Sequence, residues 1–422
     1  MKFKKTVLKN GMRIITVPMK DNNTVTVMAL VETGSKYEPK ELGGLSHFLE
    51  HMCFKGTTKR PTSFAISLEL DGMGAESNAF TNTEYTGYYA KAGKKYFTKI
   101  FDVVSDIYLN STFPEGEMEK EKGVVIEEIN MYEDLPQRKV WDIFETLLYG
   151  DQPAGRPIIG TKESLLAMKR EDLVKYHSER YVAKATVVVV AGNISEKVAV
   201  KAVEKAFAEI KTTAKKGKPA TIENQKKPAV SAVFRKTDQT HLILGFRAFD
   251  LHDKRNWQLS VLATILGRGA SSRLFMKMRE ELGICYYIRA SQSASTDHGY
   301  FSISAGVGTK RTGEAVEAIM RELVKIKKEG VGEAELRKAK DLMIGGMALS
   351  LESSDEYADF FGFQEVFHEP ILSQKEQVQK IEAITTKDIK KMAELIFVEK
   401  GLNLALIGPE KDGPGFLPLL HI

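Results

Sequence analysis

Gly44-Leu45-Ser46-His47-Phe48-Leu49-Glu50-His51 can be laid over Gln258-Leu259-Ser260-Val261-Leu262-Ala263-Thr264-Ile265, and this overlay decides the architecture. Similar orders of elements surround both stretches, so the chain reads as an internal duplication. A second pair of segments extends it: Glu115 to Ile129 (EGEMEKEKGVVIEEI) lies over Glu333 to Met347 (EAELRKAKDLMIGGM). Two homologous domains are expected, residues 1–212 and 229–422. They are joined by a Lys-rich, Pro-punctuated linker at 213–228 that has little to place in a core.

The two copies differ in their chemistry. His47 and His51 are one helical turn apart on one face, so both imidazoles can reach one metal ion. Glu50 lies beside them and is better placed to polarise a water than to bind the ion. In the second copy the three positions have become Val261, Thr264 and Ile265. Glu121, Glu127 and Glu128 likewise face Ala339, Gly345 and Gly346. A shared fold does not need acids present in only one copy, so all three are candidates for a third ligand. Each could equally lie on the solvated face of a Glu/Lys-rich helix.

Composition alone would produce a His, two spacers, an acid and a His about 0.02 times in a chain with 8 His and 56 Asp+Glu among 422 residues. A structural zinc site would close its tetrahedron with four protein ligands, usually rich in Cys. Only two cysteines are present, Cys53 and Cys285, far apart in the chain. Both are expected to be small buried hydrophobes, and their scarcity fits a reducing compartment. A catalytic site needs three ligands and an open position.

The hydrophobic fraction of 43% and charged fraction of 28% are those of a globular protein with room for two cores. The net charge of +5 is dispersed, which argues against a nucleic-acid partner. The basic start, Met1 to Thr6, lacks the apolar run of a signal peptide, and no window resembles a membrane span; the expected location is the cytoplasm. Along the chain, Asn10-Gly11 predicts a hairpin and Thr24 to Glu32 a further strand. The His47 helix ends near Gly56, strands at 75–80 and 84–90 pair, and Pro114 opens a long helix to about Asp134. The second half is expected to hold strands at 229–246 and 284–305, a helix at 256–267, two long helices, and a final strand at 403–407.

These residues resemble the pitrilysin family of zinc metallopeptidases, the inverzincins, which include insulysin and the mitochondrial processing peptidase. The family signature is HxxEH with a further Glu about 76 residues on, and 76 residues separate His51 from Glu128. Gly43 to Ser46, Phe54 to Thr57 and Gly123 to Glu128 match its extended forms, and the resemblance covers essentially the whole chain. The fold class it accompanies is α+β: two homologous domains, each a largely antiparallel sheet packed with helices.

The resemblance implies one Zn2+ per chain, with His47, His51 and Glu128 as ligands. Glu50 is then the catalytic base that activates a water held by zinc, Glu121 a supporting catalytic acid, and Glu127 a surface residue. Asn78, Ala79 and Phe80 match an edge strand to which a peptide adds through backbone hydrogen bonds. Arg279 and Tyr286 match a pair that grips substrate. The implied function is a zinc endopeptidase acting on peptides or unfolded segments, as a homodimer. Two alternatives stand beside it: a processing-peptidase subunit paired with a different, inactive homologue as a heterodimer, and a non-catalytic scaffold subunit.

Overall fold

The computed structural model describes residues 2–411 and 413–422; Met1 and Asp412, which fall in the expected first and second domains, lie outside them. Two compact units are present: Met1–Ile129 with Pro157–Pro219 and Ala348–Gln374, and Asn130–Arg156 with Ala220–Met347 and Lys375–Ile422.

The strands and helices of the amino-terminal half are β1 (Lys4–Val7), β2 (Arg13–Pro18), β3 (Thr24–Val31), α1 (Leu45–Cys53), α2 (Ser63–Asp71), β4 (Glu76–Thr81), β5 (Thr86–Gly93), α3 (Phe97–Leu109), α4 (Glu115–Glu133), α5 (Pro136–Tyr149), α6 (Lys162–Ala167), α7 (Arg170–Arg180), β6 (Thr186–Gly192) and α8 (Glu196–Ala206). The first sheet runs β1-β2-β6-β3-β5-β4, with only the β2–β6 pair parallel. Alternation divides each central strand between two cores. Val25, Val27, Ala29 and Val31 of β3 join Phe48, Leu49 and Met52 of α1 on one face. Met28 and Leu30 turn to the other. Burial on both faces explains the unbroken apolar run Val187 to Ala191 in β6.

The carboxy-terminal half continues with β7 (Ala229–Phe234), β8 (Gln239–Ala248), α9 (Asn256–Gly267), α10 (Arg273–Phe275), β9 (Cys285–Ser295), β10 (His298–Gly308), α11 (Thr312–Glu329), α12 (Glu333–Leu349), α13 (Ser354–Val366), α14 (Gln374–Glu382), α15 (Thr386–Ile396) and β11 (Leu402–Gly408). The second sheet runs β7-β11-β8-β10-β9, again with one parallel pair, β7–β11. Strand for strand this repeats β2-β6-β3-β5-β4, so the duplication seen in the residues is also a duplication of topology. α1 and α9 each follow the strand at the third place of that order.

The contiguous boundaries expected at 212 and 229 differ from the units the fold makes. α5 stays with the second sheet because Val140, Phe144 and Leu148 bury against Ile243, Ala405 and Ile407. α13 stays with the first because Tyr357, Ala358, Phe361 and Val366 cover Met28, Leu30, Val187 and Val189. Full burial of Phe361 alone contributes about 1.5–3 kcal/mol. An apolar stripe goes where it finds a bare sheet face, and periodicity does not say which sheet that is. The stretch 213–228 forms no helix or strand. Its two ends are nonetheless tied down separately: Lys215 pairs with Glu32 in the first unit, and the Ile222 amide donates to Gln152 Oε1 in the second. A second difference lies after Thr312, where five helices stand in place of the two expected.

Candidate active site

α1 owes its position to its spacing. Leu45, Phe48, Leu49, Met52 and Cys53 are buried at intervals of three and four, which leaves His47, Glu50 and His51 together on the opposite side. The helix starts at Gly44, whose φ of 91° and close approach to the Ile159 carbonyl exclude any side chain. Buried Glu38 accepts from the amides of Gly44 and Ser46 at that end. Burial pushes its carboxyl up to about 7, against the pull of those hydrogen bonds.

α4 brings the third group. Glu128 Oε2 lies 3.7 Å from Nε2 of His47 and 3.7 Å from Nε2 of His51. One ligand atom from each of the three residues falls within 4.8 Å of the others. Bonds of the length zinc makes to N and O, arranged tetrahedrally, would separate ligand atoms by about 3.4 Å. The observed gaps are slightly wider, and the N, N, O donor set is that of a catalytic zinc site, so the residues fit the ion. Glu127 is exposed and outside this group, as expected of it.

Glu121, two turns before Glu128 on α4, is buried. Its Oε1 accepts from His51 Nδ1 at 2.9 Å, and Oε2 pairs with Lys55 Nζ. Burial would raise this carboxyl, but the hydrogen bonds from His51 and Lys55 outweigh it and hold the group below its usual range. An ionised Glu121 can only accept, so Nδ1 of His51 carries the proton and the Nε2 lone pair faces Glu128. Burial lowers His51's basicity, yet Glu121 and the charges of Glu50 and Glu128 raise it above normal overall. Among the described residues His47 has no such partner; its Nδ1 is buried without a hydrogen bond, and burial followed by the neighbouring His51 charge pushes it down to about 3. Burial raises Glu50, opposed by the hydroxyl of Thr81, which donates to Oε2 at 2.6 Å.

Asn78, Ala79 and Phe80 lie on β4, the free edge of the first sheet. Their side chains alternate. Ala79 packs with the core under α1, and Phe80 turns to the opposite face. Asn78 is exposed and bonds its own strand, its Oδ1 accepting from the Ala79 amide. On the α1 side, a cavity of about 460 Å³ runs beside Glu50 and His51, floored by Phe54, Ile66 and Leu70. Arg279 and Tyr286 belong to the second unit. Arg279 sits in a π-helical turn at Met276–Glu281, donates to the Tyr286 carbonyl, and lies over the Phe275 ring. Tyr286 is 72% exposed, and both residues line a cavity of about 870 Å³. Both cysteines are buried and free.

Sequence reasoning missed Lys55, Thr81 and Glu38. Lys55 lies just past the end of α1, where no helical spacing relates it to His51 or Glu121. Thr81 shares the strand parity of Ala79. Glu38 lies in a loop, and no spacing relates it to α1.

Two copies of one unit, one with His, His and Glu converging on a point and one without, define a two-unit metallopeptidase fold. A sequence model described as "Insulinase (Peptidase family M16)" matches residues 13–162, and one described as "Peptidase M16 inactive domain" matches 167–343. The chain is 36% identical over 416 residues to a Bacillus subtilis protein named uncharacterized zinc protease YmxG, covering 98% of this chain and 100% of that one. It is 34% identical to the uncharacterized zinc protease ML0855 of Mycobacterium leprae, over 96% and 91% of the two chains. The crystal structure of a protease from Helicobacter pylori superposes with a TM-score of 0.91 at 23% identity, covering 97% of this chain and 99% of that one. A peptidase M16 inactive domain from Pseudomonas fluorescens superposes at 0.90 with 16% identity and the same coverage. The chain belongs to the M16, or pitrilysin, family of metallopeptidases, in its short two-domain form. No helix among the described residues is long and apolar enough to cross a membrane.

Proposed function

We propose that the chain is a zinc endopeptidase that cleaves peptides or unfolded segments laid along β4. The observation that carries this reading is the convergence of His47, His51 and Glu128 on one point, with Glu50 beside it and a free sheet edge alongside. A zinc ion bound there would act as a Lewis acid on the peptide carbonyl and bring the pKa of a water it holds down to about 7.

The rest falls to the chain's own residues. His47, His51 and Glu128 hold the ion, and Glu121 with Lys55 fixes the His51 tautomer. Glu50, oriented by Thr81, takes a proton from the attacking water and returns it to the leaving amine. β4 offers unpaired backbone groups on its outer side, so substrate is held by main-chain hydrogen bonds and must be extended. The cavity floored by Phe54, Ile66 and Leu70 receives a substrate side chain on the metal side.

The working unit under this reading is a homodimer, in which Arg279 and Tyr286 serve the metal site of the other copy. The decisive experiment is zinc content together with cleavage of a quenched, unstructured peptide, with and without chelator. About one zinc per chain and chelator-sensitive cleavage are expected; a metal-free, inactive purified chain favours the scaffold reading.

A further inference from the structure

β4 has two faces, and only one of them looks toward the metal ligands. Thr81 reaches Glu50 on that face, while Phe80, the next residue along, turns to the face covered by α13. There a separate cavity of about 290 Å³ opens beside the strand. Its walls are the rings of Phe80, Tyr85, Tyr89 and Phe363, with Phe80 5.8 Å from Phe363 and Tyr85 5.1 Å from Phe363, centroid to centroid.

Two carboxylates one helical turn apart on α13 complete the lining, and they differ in their partners. Asp355 is engaged, with Lys91 Nζ at 2.7 Å. Asp359 is half-buried, and among the described residues its carboxylate has no hydrogen bond or ion pair. Burial, then the charges of Asp355 and Glu356, push it up to about 6. An unneutralised acid among aromatic rings is complementary to a cation on a long apolar stem. The stem packs on the rings, the cation is attracted by their faces, and the charge meets the carboxylate.

A peptide added to β4 as a further strand sends alternate side chains to this face. We propose that the cavity is a specificity subsite for a lysine or arginine of the substrate, with Asp359 as its ion-pair partner. This rests on the reading of the chain as a peptidase that takes its substrate along β4. The selected residue stands within a residue or two of the cleaved bond, because Thr81, which holds the base, adjoins Phe80.

The test uses unstructured peptides identical except at one position, filled in turn by Lys, Ala or Glu and walked across the cleavage site. Cleavage is measured with zinc-loaded wild-type protein, and binding of the same peptides, fluorescently labelled, with Glu50→Gln by anisotropy. At one position Lys should exceed Ala by about tenfold in both readouts, with Glu weakest. Asp359→Asn should bring the Lys-to-Ala ratio to within about twofold of unity. Asp359→Arg should reverse the order of Lys and Glu. Peptides that are cleaved with a flat profile at every position overturn the subsite and leave the peptidase reading intact. A Lys preference that persists in Asp359→Asn also overturns it. Absence of both cleavage and binding by zinc-loaded protein overturns the peptidase reading, and the subsite with it. The wild-type profile decides between these outcomes even if a variant fails to fold.

Discussion

Three acids near the candidate metal site, Glu50, Glu121 and Glu128, have different surroundings, and each surrounding sets a role that substitution can separate. Glu50 is held by a hydroxyl and touches neither imidazole nitrogen that faces Glu128. Glu50→Gln should therefore keep about one zinc per chain and lose kcat by about 10²–10⁴-fold. Cleavage at near wild-type rate by this variant would remove Glu50 from the mechanism. Under the proposed ligation Glu128→Ala takes away one of three donors and should lose the metal itself, measured by elemental analysis after dialysis. Retention of full zinc would move the third ligand to another acid. Glu121 touches His51 and not the point where the ligands converge. Glu121→Gln should keep the fold and weaken zinc binding by about 10–100-fold, because the His51 tautomer is no longer fixed by a charge. A Kd for zinc equal to that of wild type would show that Lys55 and Glu121 form only a structural pair.

At the scale of elements, α7 carries a titration that reaches stability rather than catalysis. His177 packs against Phe113 and Tyr181, and its Nε2 lies 2.8 Å from the Tyr108 carbonyl, to which the neutral ring donates. Burial pushes it down to about 4 from an ordinary value of 6.5. The unfolded chain takes up a proton first as pH falls, so this group's share of stability is intact above 6.5 and is lost as pH drops toward 4. The melting temperature of wild type relative to His177→Gln should be highest near neutral pH and should shrink across that window. A difference that is constant with pH would show that His177 has the same pKa folded and unfolded, so that burial does not depress it. Elements of this kind were legible in the residues wherever a local rule governed them. Asn10-Gly11 gave the β1–β2 hairpin, and the spacing of Leu45, Phe48, Leu49 and Met52 gave the buried side of α1. The aligned copies singled out Glu121, Glu127 and Glu128 together without telling any of them from a solvated helix face, and only the family signature pointed to Glu128 as the ligand. What stayed hidden was set by long-range packing: α5 and α13 each have an apolar stripe, and nothing local names the sheet that covers it. Phe80 shows the same limit at smaller scale, since its strand was expected and its turn away from His47, His51 and Glu128 follows from register alone.

Among the described residues one group of side chains could hold a metal ion, His47, His51 and Glu128, and the Arg279–Tyr286 pair belongs to the other compact unit. The resemblance to the pitrilysin family implies a four-domain arrangement, as in its single-chain members, with zinc on the first domain and the Arg/Tyr pair on the last. A two-domain chain supplies half of that arrangement, and two copies about a two-fold axis would complete it with two equivalent sites. Tyr286 is 72% exposed, so a further surface has room to engage it. If each pair serves the other copy's zinc, Glu50→Gln and Arg279→Ala damage different halves of one site. Each homodimer is then nearly inactive. A mixed dimer has one site with both defects and one with neither. Co-expression with random pairing makes half of all dimers mixed, each with one good site of two, so about a quarter of wild-type activity should return. If the pair serves its own chain, every site in the mixture carries one defect and no activity returns. A monomer that retains full activity at all concentrations in sedimentation and kinetic assays would remove the dimer altogether.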